Sequence, residues 1–317
     1  MTFLVIYGIL IYKMKGELIV INVERDRGAW LKIPKFENIY LNDEEIEVVD
    51  EETGEMFIID SDEFSKVYVA YGLYLMAMTP SSAITANQQI GIESFLNLMS
   101  CENLEKEQMK ILKAVHNYMA ENKVFEYIND TFSKVNTDNI FLNKDSYYKV
   151  IYPYELFDIF TCNRSYTFKI NLLKVYICLK SHMILRVGKS DAEFVFVTTQ
   201  SHKALATMSG IPVNNFRKYI STLLKDLKLI RKHSFVNKNN GTTQVIYTEY
   251  DNPNYERDFE YAKQYLQYVR LDSRKKLYNN YSSQNKSNNK SNETNSFADI
   301  LYDKSAFQNI PVSKKLN

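Results

Sequence analysis

Residues 199–250, TQSHKALATMSGIPVNNFRKYISTLLKDLKLIRKHSFVNKNNGTTQVIYTEY, set the reading of the whole chain. From Ser201 to Met208 the apolar residues Ala204, Leu205 and Met208 recur at helical spacing. Ala206 sits four residues before Gly210, where a small side chain lets a second helix approach. Gly210 predicts the turn that ends this helix, and Pro212 suits the first turn of the next, where its missing N–H costs nothing. Val213, Phe216, Ile220, Leu223 and Leu227 then follow at intervals of three and four, which gives that helix one core face. Leu229 and Ile230 open a strand, NKNNG at 237–241 supplies residues that tolerate positive φ, and VIYTEY returns as a second strand.

Helix, turn, helix and hairpin in that order predict a helix-turn-helix with a β-ribbon wing. The face of the second helix opposite its core side offers Asn214, Asn215, Arg217, Lys218, Ser221 and Thr222. Their amides, hydroxyls and cations are the groups that read base edges or hold phosphates in a major groove. Between Thr199 and Tyr250 stand eight Lys or Arg against Asp226 and Glu249, about +6, whereas the whole chain carries +1. Positive charge is therefore concentrated where a groove-reading surface would lie. The expected DNA contacts are Lys203, Asn214, Asn215, Arg217, Lys218, Ser221, Thr222, Lys225, Arg231, Lys232, His233 and Lys238.

The chain has 317 residues, 45% apolar and 24% charged, enough for two compact domains and ordinary for a globular protein. With so little net charge, affinity for nucleic acid has to come from a local patch. Cys101, Cys162 and Cys178 form no CxxC and no Cys/His metal spacing, which reads as free thiols in a cytoplasmic protein. TFLVIYGILIY, before Lys13, is too short to span a bilayer and lacks a basic leader or a cleavage site. It reads as a buried strand, or as an extension upstream of a start at Met14.

Upstream, ELIVINV, AWLKIP and EMFIID alternate with turn-forming DRG and ETG, a β-rich opening. Asp43 to Glu63 holds eleven acidic residues and no Lys or Arg; without EF-hand spacing it reads as a solvated acidic loop. Phe64–Met78 predicts a buried helix, and Leu104–Asn122 an amphipathic one with Met109, Leu112, Val115 and Met119 inward. Residues 1–140 are thus an α+β domain for dimerisation, or a second, degenerate winged helix.

TDNIFLNKD at 137–145 marks the expected boundary, and 141–252 forms the winged-helix domain. Its first helix carries Phe168, Leu172, Val175, Leu179 and Met183, and EFVFVT at 193–198 is a strand expected to pair with the hairpin in a three-stranded sheet. A helix follows over 253–278, with Phe259, Ala262, Leu266 and Val269 in register. Residues 279–317 read as an Asn/Ser-rich linker ending in an apolar segment, 297–310, that could dock a partner protein.

No residues argue for catalysis. VGKS at 187–190 ends like a phosphate-binding loop, yet Met183 stands where its first Gly belongs. His116, His182, His202 and His233 are scattered singly, so a metal-dependent DNA-nicking enzyme has no visible ligand set. No metal and no cofactor are expected.

YYKVIYPYELFDIF from Tyr147, then INLLKVYICLKSHM, then FVFVTTQSHKALATMSGIPVNNFRKYISTLLKDLKLIRK, resemble the winged-helix domain of replication initiators from plasmids and phages of low-GC Gram-positive bacteria. The likeness spans Tyr147 to Tyr250 and lies in pattern more than in invariant motifs. VDEETGE at 49–55 with FSKVYVAYGLYLM at 64–76 faintly resembles the opening of another replication family of plasmids from the same bacteria. The resemblance implies a non-enzymatic protein that binds repeated sites in double-stranded DNA at an origin and recruits host replication proteins; the reading of residues 1–140 as a dimerisation domain makes a homodimer a further candidate partner. A winged-helix transcription regulator and a protein-interaction adaptor are the alternative readings.

Overall fold

In the computed structural model the described residues are 3–6, 9–14, 17–22, 31–34, 36, 45–49, 54, 56–78, 91–101, 104–129, 132–141, 149–186, 194–238 and 241–267. The chain is mixed α+β, with small antiparallel sheets. Its internal contacts divide it into two compact units, Met1–Ser181 with Asn214–Thr222, and His182–Val213 with Leu223–Asn317. The division falls at Ser181/His182 and not at the polar 137–145 segment, so the stretch 141–252 is shared between the units.

The first unit opens with β1 (Phe3–Ile6), β2 (Ile9–Met14) and β3 (Glu17–Asn22) in a meander of order β1-β2-β3. Next come β4 (Leu31–Ile33), β5 (Glu45–Val49) and β6 (Met56–Asp60); β5 and β6 pair as a two-stranded ribbon, Val49 opposite Met56. Helix α1 (Ser61–Met78) starts where Asp60 Oδ1 accepts the Glu63 N–H at 3.1 Å. Then follow α2 (Ile92–Leu98), α3 (Lys106–Glu121), β7 (Phe125–Asn129), β8 (Phe132–Val135), β9 (Lys149–Ile151), α4 (Pro153–Thr161) and α5 (Tyr166–Ser181). Strand β9 closes back on β4, pairing Ile151 with Leu31.

The core of this unit is aromatic. Tyr71, Tyr74, Phe95 and Phe160 are all buried and stack or meet edge-on, with ring centroids 5.2–6.0 Å apart. Helix α1 runs so close to the turn at Ile140 that a Cβ at Gly72 would lie 2.7 Å from Ile140 Cγ2, with Met119 Cε of α3 at 3.5 Å. Helix α5 is buried all round, as its lack of a polar face demands. Its three buried lysines therefore each need a partner. Lys169 donates to the Met99 carbonyl, Lys174 pairs with Asp62, and Lys180 bonds both oxygens of buried Glu155 at 2.9 and 2.8 Å. Tyr176 also donates to Glu155, at 2.6 Å.

In the second unit β10 (Leu185–Arg186) pairs with β11 (Phe194–Val195), and β12 (Val197–Thr198) leads to α6 (His202–Ser209). Helix α7 (Val213–Ser221), which groups with the first unit from Asn214 onward, runs into a π-type turn over Thr222–Asp226, before β13 (Ile230–Val236) and β14 (Thr243–Glu249) of the second. Strands β12, β14 and β13 make a three-stranded antiparallel sheet in that order, as expected of the 193–198 strand and the hairpin. That strand, however, is broken at Phe196. The Phe196 N–H donates to Asp258 and its carbonyl accepts from Thr248 Oγ1, so both backbone groups leave the ladder. Residues 255–267 form helix α8, whose Phe259, Ala262 and Leu266 bury themselves against Val195, Val197 and Ile246 of the sheets. Met183 lies beyond the end of α5 but is buried all the same. Leu205 of α6 is buried as its spacing predicts, whereas Met208, expected in the same core, is exposed.

The segments 187–190, 268–278, 279–296 and 297–310, on which the phosphate-loop likeness, the end of the 253–278 helix, the linker and the docking segment rest, lie outside the described residues.

Candidate nucleic-acid interface

Helix α7 divides sharply by face. Phe216, Tyr219 and Ile220 are buried, while Asn214, Asn215, Arg217 and Lys218 are exposed. Tyr219 is an anchor that the sequence spacing of three and four did not pick out. Its ring lies 4.7 Å from that of Phe168 on α5, a bond to Asn171 reaches its hydroxyl, and burial pushes its phenol pKa above the ordinary value. The Arg164 guanidinium in turn sits over Phe168 at 5.4 Å. Inner-face anchors of this kind hold the helix by one side, leaving two amides and two cations on the other.

Ser221 is half-buried and Thr222 is buried. The reason is the π-type turn over Thr222–Asp226, whose extra residue per turn rotates the chain away from the α-helical register. Thr222 therefore does not join the exposed face expected of it but is buried beside Leu223, which is buried as its spacing predicts.

Helix α6 begins at a capping serine, Ser201 Oγ accepting from the Ala204 N–H at 3.1 Å. It ends at Gly210, whose φ of 65° is the left-handed conformation that suits glycine, with Ile211 N–H returning to the Ala206 carbonyl at 3.1 Å. Only Gly210, Ile211 and Pro212 then separate α6 from α7. On α6, Lys203 is exposed, while His202 stacks on and hydrogen-bonds Tyr247 of β14, whose phenol pKa burial pushes up to about 12.

Along β13 successive side chains alternate faces. Lys232, Ser234 and Val236 are exposed; Arg231, His233 and Phe235 are half-buried on the other face. Arg231 lies with its guanidinium 4.6 Å from the Tyr250 ring and 4.0 Å from that of Tyr255, and its Nε donates to the Tyr250 carbonyl at 2.5 Å. His233 stacks on Phe259 of α8 at 5.2 Å. Both were expected to face a ligand, yet both lie toward α8, because the alternation puts them on the side that α8 covers. Lys225 in the π-type turn and Lys238 at the hairpin tip are exposed. The period-two pattern of IRKHSFV was the available signal for this split.

Among the described residues no group of three His, Cys, Asp or Glu could hold a metal ion, and no helix is long and apolar enough to cross a membrane. Cys178 is buried and Cys101 and Cys162 half-buried, none of them in a disulfide, with burial raising the Cys101 thiol pKa above its usual value. Compared with family models, with curated proteins and with solved structures, the chain matches none.

Proposed function

We propose that the chain is a sequence-specific double-stranded DNA-binding protein of the cytoplasm, without catalytic activity, and that it serves as a replication initiator of a plasmid or phage. The observation that carries this reading is the exposed face of α7, on which Asn214, Asn215, Arg217 and Lys218 stand together in water. Asn and Arg side chains of that kind make bidentate bonds to adenine and guanine edges in a major groove.

Chain order supports the same reading. Helix α5, strand β12, helix α6, a glycine turn, helix α7 and a hairpin, with sheet order β12-β14-β13, follow the plan of a winged helix. In the first unit α1, α2, α3 and the β7–β8 hairpin repeat part of that order, which favours a second, degenerate winged helix over a domain for dimerisation alone. In this reading Asn214, Asn215, Arg217 and Ser221 read bases. Lys203, Lys218, Lys225, Lys232 and Lys238 neutralise phosphates, while Thr222, Arg231 and His233 have structural roles.

The experiment is a fluorescence titration of purified protein against duplexes tiled across its own gene and flanks, with a random duplex as control, at several salt concentrations. A few tiles should bind tightly, with a log–log salt slope of about −4 to −5 if five lysines displace counterions. Arg217→Ala should cost roughly 1–3 kcal/mol on the specific tile and leave the random duplex little changed. Lys238→Ala should weaken all duplexes alike and flatten the slope by about 1. Direct repeats in or beside the coding region on the bound tiles would support an initiator; binding confined to a promoter would point to a transcription regulator. Absent or salt-insensitive binding to every tile would overturn the proposal and favour a protein-interaction adaptor.

A further inference from the structure

Within the second unit, strand β13 and helix α8 wall a cleft of about 660 Å³. That lies inside the range of roughly 300–1,000 Å³ usual for small-molecule sites. The strand supplies Arg231 and His233, two residues apart and so on one face; Lys232 also borders the cleft, but the alternation turns its side chain to the other face. The helix supplies Glu256 and Glu260, exposed and one turn apart. Leu224, Ile230 and Phe259 add apolar lining.

The two walls differ in what they already hold. Glu260 accepts from Lys263 at 2.9 Å, and that bond above all keeps its carboxyl pKa below the usual value. Glu256 accepts the Tyr255 hydroxyl at 2.8 Å. Arg231, by contrast, meets no carboxylate among the described residues. Its Nε takes the neutral Tyr250 carbonyl and its guanidinium rests on the Tyr250 and Tyr255 rings, which leaves most of the donor fork without an acceptor. His233 stacks on Phe259 at 5.2 Å and on Phe235 at 6.4 Å. Stacking engages the faces of the imidazole, and no hydrogen bond from a described residue reaches the nitrogens at its edge. A half-buried guanidinium and imidazole with donors to spare form a receptor for an oxyanion. Glu256 and Glu260 decide which one, because carboxylates beside the site repel a phosphate dianion or a polyanion far more than a single charge.

We propose that the cleft binds a small organic monocarboxylate with a flat apolar body. Its carboxylate accepts from Arg231 and His233, and its body covers Leu224, Ile230 and Phe259. The proposal does not rest on DNA binding, because Arg231 and His233 are the two basic residues of the β13–β14 hairpin to which no DNA contact is assigned.

The test titrates the full chain, isotope-labelled at histidine, with benzoate at neutral pH and follows the His233 ring signals by NMR, assigned through their loss in His233→Gln. Acetate offers the charge without the body, benzamide the body without the charge, and phenyl phosphate a second charge. Benzoate should shift the His233 signals and bind at least roughly tenfold more tightly than acetate or benzamide. It should also bind more tightly than phenyl phosphate. Arg231→Gln should weaken benzoate binding at least roughly tenfold. Should that variant not fold, His233→Gln, read by saturation transfer to benzoate, should weaken it at least about threefold. Glu256→Gln/Glu260→Gln should strengthen phenyl phosphate binding and leave benzamide unchanged, a selectivity that a loss of packing does not produce. Benzoate binding that leaves the His233 signals in place, benzamide or acetate binding as tightly as benzoate, or undiminished binding by both cation variants would overturn the proposal. Tighter binding of phenyl phosphate than of benzoate by the wild type would also overturn it, by assigning the cleft to phosphate esters.

Discussion

His116 illustrates how burial alone sets a residue's chemistry. Its Nδ1 lies 2.9 Å from the Tyr71 hydroxyl, and burial holds the imidazole pKa below its ordinary value. A ring that resists its proton when folded takes it up more readily when unfolded, so protons favour unfolding. The stability contributed by neutral His116 is therefore fully present above the unfolded value of about 6.5 and is lost as the pH falls below it toward the lower folded value. The urea midpoint of the wild type should drop between pH 7 and pH 5, and His116→Gln should flatten that drop. Equal slopes for the two proteins would remove His116 as the cause. Asp62, in the same unit, is also held low, but by its partners and not by burial. Burial raises its pKa, but hydrogen bonds from Lys174 and Lys66 outweigh this and hold the carboxyl below its usual value, so its contribution is lost only in acid.

Between elements, the contact that tolerates least change is the approach of α1 to Ile140. Gly72 sits in that contact, and a methyl there would meet Ile140 Cγ2 at 2.7 Å. Gly72→Ala raises intrinsic helix propensity, yet it should destabilise by about 1–3 kcal/mol, because overpacking outweighs propensity here. A chemical denaturation curve decides the sign; a more stable variant would mean that Ile140 yields at no cost. At this scale much was legible from sequence. Spacing located α1, α3, α5, α6 and α7, and the Gly210 turn, because an apolar stripe and a glycine in the left-handed region leave direct marks on a chain. Thr222 and Arg231 were misplaced for a physical reason. A π-type turn changes register without changing which residue types appear, and the face that α8 covers is set by a segment more than twenty residues beyond Arg231. Alternation in IRKHSFV separated the two faces of β13, but only the position of α8 says which of them meets water.

Over the whole molecule, the boundary was the least legible feature, because a polar, turn-rich stretch such as 137–145 marks a break in secondary structure and not a break in contacts. Residues 214–222 group with the first unit although the chain on either side of them groups with the second. The inner face of α7 explains why, since Tyr219 is held by Phe168 and Asn171 of α5. No single cut can then separate the units, for any fragment holding α6, α7 and the β13–β14 hairpin without α5 exposes part of an apolar helix face. A fragment of residues 182–267 leaves Tyr219 without these partners, and a domain of that size has little stability to spare. It should lack a cooperative urea transition by circular dichroism, whereas the same fragment extended upstream to include α4 and α5, residues 149–267, should regain one. Cooperative unfolding of 182–267 alone would show that α7 does not depend on α5, and the assignment of residues 214–222 to the first unit would then carry no energetic weight.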